Sequence, residues 1–248
     1  MVRATFVWAT LAVGLAIAAP SAAQSPSPAL AAAIADSSRP ATDTARDADR
    51  KPGQVIAFSG LKSGDKVADL IPISGYFTRI FAKVVGPTGH VYAATPQALA
   101  SRPGALDATN AIAAANPNVT AGIVDFAKMD FPEKLDVIWT SENYHDFHNF
   151  PAVDVVGLNK VIFGALKPGG VYVIEDHQAA SGAGATATNT LHRIEADTVI
   201  KEVEAAGFKF EGRSDVLANA SDPHTANVFA PEIRGKTDRF LLKFRKPK

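Results

Sequence analysis

The chain has 248 residues, 47% of them hydrophobic, with 25 basic side chains balanced by 25 acidic ones and no cysteine. Zero formal charge without a sustained basic stripe argues against a nucleic-acid partner, and the missing thiols exclude disulfides, thiolate zinc sites and a lipid-modified cysteine anchor. The length suits one α/β domain held together by its apolar core.

Arg3 opens the chain, Thr5 to Ala19 is an apolar run too short and Ala-rich to span a membrane, and Ser21-Ala22-Ala23 sets small residues before Gln24. Residues 1–23 are therefore expected to be a secretory signal peptide, leaving an exported, periplasmic protein with no stable membrane anchor after cleavage. Residues 24–50 are rich in Ala, Ser and Asp, with Leu30 and Ile34 as large apolar anchors, which predicts a flexible leader with at most one docked helix. The folded domain is expected over 51–248.

Pro52 at a helix start and Gly60 as a stop predict a short first helix. Val67 to Leu70 reads as a strand, and Tyr76 to Val84 as a helix with Phe77, Ile80, Phe81 and Val84 on one face. The turn Gly86-Pro87-Thr88-Gly89 leads into a second strand, His90 to Ala94. Further strands are predicted at Val119 to Val124, Leu135 to Trp139 and Val171 to Ile174, with a crossover helix over Val153 to Leu166. A helix over His192 to Ala206, ended by Gly207, precedes an antiparallel pair, Phe208 to Val216 with Phe240 to Phe244.

The first of these strands ends at a carboxylate, passes a Pro/Ser/Gly turn and enters an amphipathic helix, an arrangement in which α/β proteins hold small-molecule cofactors. The segments FSGLKSGDKVADLIPISGYFT, WTSENYHDF and EDHQAASGAG, with the LKPGG turn and the late strand–loop–strand ending, resemble class I S-adenosylmethionine-dependent methyltransferases. More narrowly they resemble predicted bacterial methyltransferases that carry export signals. The resemblance covers Lys51 to Lys246 and implies a Rossmann-like fold, a mostly parallel seven-stranded sheet with helices on both faces, and S-adenosylmethionine as cofactor.

It also implies cofactor contacts, carried over residue by residue: Asp69 for the amino group, Pro72 and Gly75 on the loop after the first strand, Thr95 at the ribose and Asp125 near the adenine; Asn143 and Tyr144, on the polar loop after the fourth strand, are read from that loop as contacts to the methyl donor or the substrate. Two positions depart from the pattern. The acid-x-Gly-x-Gly loop is reduced to one glycine, Gly75, and Thr95 stands where an acid is expected at the ribose hydroxyls.

Glu142-Asn143-Tyr144-His145-Asp146-Phe147-His148 follows the fourth strand and brings an amide, a phenol, an imidazole and a carboxylate to one rim. His145 is the candidate general base, Asp146 its partner, and Asp176 with His177 the opposing wall. These histidines and acids could also ligate a metal, but they match no helical metal motif, and no metal is assigned. Arg193 is read as an anion clamp or as a surface partner of Glu195 or Asp197, and Ser181 to Gly184 as a flexible lid. No GxSxG elbow supports a hydrolase. Two functions remain open: methyl transfer to a small-molecule acceptor, or an exported binding module of the same fold without catalysis.

Overall fold

The computed structural model describes residues 26–150 and 153–248; the expected signal peptide lies outside them. Seven strands form one sheet: β1 Lys66–Leu70, β2 His90–Pro96, β3 Val119–Val124, β4 Leu135–Ser141, β5 Leu166–His177, β6 Lys209–Ser214 and β7 Arg239–Arg245, in the order β3-β2-β1-β4-β5-β7-β6. The first five run parallel, and β7 enters antiparallel between β5 and β6. Among the described residues no helix is long and apolar enough to cross a membrane.

Eleven helical segments accompany the described sheet: α1 Pro28–Ile34, α2 Ala41–Thr44, α3 Asp47–Arg50, α4 Pro52–Ser59, α5 Tyr76–Val85, α6 Gln97–Ala100, α7 Asp107–Ala115, α8 Tyr144–Phe147, α9 Val155–Ala165, α10 Thr188–Leu191 and α11 Ala196–Ala205. Strand side chains alternate between faces, so adjacent residues enter different cores. Val67, Val137, Val173 and Leu241 pack beneath α1, α4 and α5, while Ala68, Ile138, Ile174 and Leu242 pack beneath α9 and α11. On the first face Trp139 is fully buried against Phe77 and Phe81, with ring centroids 5.0 and 5.2 Å away. The α/β sheet expected from the sequence is the one observed.

Two segments differ from expectation. The leader expected over 24–50, with at most one docked helix, instead holds three helices between Pro28 and Arg50, set against α5. Leu30 and Ala33 anchor α1 by burial in the core it shares with α5, and ion pairs anchor the segment that follows. Arg39 reaches Asp47 at 2.8 and 2.6 Å, Tyr76 donates to Asp47 at 2.6 Å, and Arg79 reaches Asp43 at 2.9 Å. The helix expected over His192 to Ala206 starts late, because His192 is left-handed at φ 55°, and α11 begins only at Ala196.

Candidate functional site

The strand order reverses between β1 and β4, and crevices outside the carboxyl ends of such strands take ligands. A cavity of about 800 Å³ lies there. Its walls come from the loop after β1, the loop after β4, the end of β5, the N-terminal helices, and the long loop before β7.

The β1 wall begins with Asp69, whose buried carboxylate accepts from the Thr78 hydroxyl at 2.6 Å and is pushed up to about 7 by burial. Ile71 and Ile73 follow at φ 56° and 50°, a costly conformation for β-branched residues. The Asn143 amide holds this bend, donating to the carbonyls of Leu70 and Ile71 at 3.2 and 3.3 Å. Gly75 turns into α5 at φ 75°, and a Cβ there would lie 2.2 Å from Ile112 Cδ1. Its glycine is favoured by the left-handed backbone and by the contact with Ile112 of α7.

The opposite wall is a histidine–carboxylate cluster. Asp176 is fully buried; its oxygens accept from the backbone N–H groups of His145 and His177, both at 2.7 Å, and one lies 2.8 Å from His145 Nδ1. His145 Nε2 then faces His192 Nδ1 at 3.2 Å and Asp146 Oδ1 at 3.4 Å. Burial opposes charge on His145, but Asp176 outweighs it and raises the pKa above the ordinary value. Burial pushes His177 down to about 4; its Nδ1 pairs with the Thr237 hydroxyl at 2.8 Å.

A charged floor joins the two walls. Glu142 receives Arg50 on one oxygen and Arg239 on the other at 2.7 Å, and Arg239 also reaches Glu175 at 2.9 Å. Burial opposes ionisation of Glu142, yet Arg50 and its cationic neighbours hold the carboxyl well below its usual range. Arg50 lines the cavity, and its Nε is buried without a hydrogen-bond partner.

Six expected site residues line the cavity: Asp69, Pro72, Asn143, His145, Asp146 and His177. Gly75, Thr95, Asp125, Tyr144 and Asp176 do not. Thr95 is buried beside β3 opposite Ile123. Asp125 is exposed and accepts from the Ala127 N–H at 2.9 Å. Tyr144 is fully buried; its hydroxyl donates to Glu202 at 2.9 Å and accepts from Asn159 at 2.8 Å. Asp176 sits behind His145 and holds its ring at Nδ1.

Arg193 is neither a clamp nor a surface pair. It is fully buried, reaching both oxygens of Asp222 at 2.9 and 3.1 Å and the carbonyls of Gln178 and Ala226, and thereby ties down the loop before β7. That loop supplies Phe229 and Arg234 to the cavity, which sequence reasoning missed together with Arg46, Arg50 and His192 as wall residues.

No protein-family model matches the chain, and no curated protein matches it. Solved structures do match in fold. A SAM-dependent methyltransferase from Aquifex aeolicus is 17% identical over 80% of this chain and 89% of its own, with a TM-score of 0.56. Fibrillarin from Aeropyrum pernix with natively bound S-adenosyl-L-methionine is 15% identical over 80% of this chain and 76% of its own, TM-score 0.50. The cyclase SpnF, 17% identical over 84% of this chain and 81% of its own, TM-score 0.56, shows that the same fold carries other chemistry.

Proposed function

We propose that the chain is an S-adenosylmethionine-dependent methyltransferase acting on a small-molecule acceptor. The observation that carries this reading is the cavity at the β1/β4 reversal, with charged groups for an amino acid on one side and a proton-handling histidine on the other.

The residues present fit the amino-acid end of that cofactor. Arg50 has an unpartnered buried Nε for a carboxylate, and Asp69 and Glu142 offer carboxylates to an ammonium. The nucleoside end would meet neutral and apolar groups, Ala98, Leu99, Pro72 and Ile73, because Thr95 and Asp125 do not face the cavity. When bound, the cofactor supplies an electrophilic methyl group on a sulfonium. The chain then has to strip the acceptor of its proton and exclude water. His145 can accept that proton at Nε2 while Asp176 holds Nδ1 and stabilises the resulting imidazolium. Phe229 and Arg234 overhang the cavity from a loop that Arg193 and Asp222 anchor.

The alternative, a binding module without turnover, draws on the missing nucleoside carboxylate. Transfer of labelled methyl to a panel of phenols, thiols and amines separates the two. In the enzyme reading, His145→Ala lowers turnover by about 10²–10⁴-fold while cofactor affinity is kept; labelled product from no acceptor would favour the binding module. Export is part of this proposal and is supported by the Arg3, apolar-run and Ser-Ala-Ala pattern. Mass spectrometry of the protein from its own cell should find a terminus near Gln24, and an intact Met1 would refute export.

A further inference from the structure

We propose that His145 Nε2, His192 Nδ1 and Asp146 hold a divalent metal ion of the zinc class, with its fourth position open to the cavity. The three side chains offer one donor atom each within 4.8 Å of one another, two neutral-capable imidazoles and a carboxylate, the ligand set that zinc takes at open sites.

The spacing is the first argument. A tetrahedral ion about 2.0–2.1 Å from each donor separates the donors by about 3.3–3.4 Å, whereas octahedral coordination needs about 3.0 Å. The observed separations are 3.2 Å for His145 to His192, 3.4 Å for His145 to Asp146 and 3.9 Å for His192 to Asp146. The widest of the three involves two half-buried side chains, of which Asp146 has room to adjust.

The support behind the cluster is the second argument. A metal-bound histidine ordinarily donates its other ring N–H to a carboxylate, which fixes the ring and its tautomer. His145 Nδ1 has that partner in Asp176 at 2.8 Å, and Asp176 is itself immobilised by two backbone N–H groups at 2.7 Å. His145 Nε2 thus lies on the side of the ring that faces the other two donors. His192 is brought to the same point by its left-handed backbone between α10 and α11, its ring braced edge-on against Phe229 at 4.9 Å. Among the described residues Asp146 forms no ion pair outside this cluster.

What the ion does rests on the methyl-transfer reading; that it binds does not. With the ion in place the Nε2 lone pair is committed to the metal, and a phenol or thiol acceptor at the fourth position would lose its proton to water and wait as an anion. This takes over the proton-accepting role of the free imidazole.

The test needs no cofactor. The full chain, stripped with a chelator, is titrated with cobalt(II), and the visible absorption of tetrahedral cobalt is followed; zinc content is measured on the protein as isolated. One ion per chain is expected, displaced by zinc. Asp146→Ala and His192→Asn should each weaken cobalt binding by more than the about 10–100-fold that a supporting residue is worth. Asp146 is partly exposed and Asn tolerates the left-handed backbone at 192, so both variants should fold. His224→Gln, which removes an imidazole paired with Asp238 elsewhere, should leave the spectrum unchanged. No cobalt band in wild type, or a band that persists in Asp146→Ala and His192→Asn, overturns the proposal. Failure of S-adenosylmethionine to bind would leave the cobalt result standing and count only against methyl transfer.

Discussion

Asp69 gives the account a stability signature that can be measured without any ligand. Its carboxyl is pushed from 3.8 to about 7 by burial at the end of β1, against the smaller opposing pull of the Thr78 hydroxyl and Arg50. The folded state therefore holds a proton on Asp69 that the unfolded chain has released, over the window from about pH 4 to about pH 7. The protonated form's contribution is complete below about pH 4, falls as pH rises, and is gone above about pH 7. A gap of about three units at about 1.4 kcal/mol each caps the effect at about 4 kcal/mol, a large share of a typical net stability of about 5–15 kcal/mol. Asp69→Asn removes the titration while keeping an acceptor for Thr78. Urea denaturation across the window should show wild type losing stability relative to this variant as pH rises. Parallel profiles for the two proteins would refute the burial argument. A ligand ammonium beside Asp69 would favour the carboxylate, so binding near pH 6 should release protons, visible as a buffer-dependent heat.

Gly75→Ala should destabilise the fold through Ile112 and the left-handed backbone; adding Ile112→Val, which deletes the clashing Cδ1, should restore all but about 1.5–3.5 kcal/mol in a thermal melt, the left-handed cost plus that of trimming a buried Ile. If Ile112→Val gives no rescue, the packing explanation of Gly75 fails. Arg193→Met removes one partner of a fully buried pair, worth about 3–5 kcal/mol, and the low end is expected because Asp222 keeps the N–H groups of His224 and Asp238. At about 2–4 °C per kcal/mol for this size, Tm should fall by roughly 6–12 °C, and a fall under about 2 °C would contradict the role given to that pair.

Strands were legible because their apolar runs are short, bounded by turns and rich in β-branched residues, and the order of elements then implied the sheet. The N-terminal helices were not, since Arg39, Arg50, Asp43 and Asp47 look like solvated charges until their partners are known. The dense polar loop after β4 lines the cavity, but its sequence does not say which of its side chains do so. On α8 successive residues turn by about 100°, so His145 meets the cavity while Tyr144 and Phe147 enter the core. Local geometry likewise diverted Asp125 to its own backbone turn and buried Thr95 against β3. The sequence puts His192 at the start of a helix; only the long-range fold shows it beside His145.

Calorimetric titration with S-adenosylmethionine and S-adenosylhomocysteine, of the wild-type protein and an Arg50→Met variant, decides whether the cavity takes this cofactor. Saturable one-to-one binding is expected in wild type, weakened by about 10–100-fold in the variant through loss of a charge-assisted contact. No binding of either compound to wild type, or equal affinity in the variant, would contradict it.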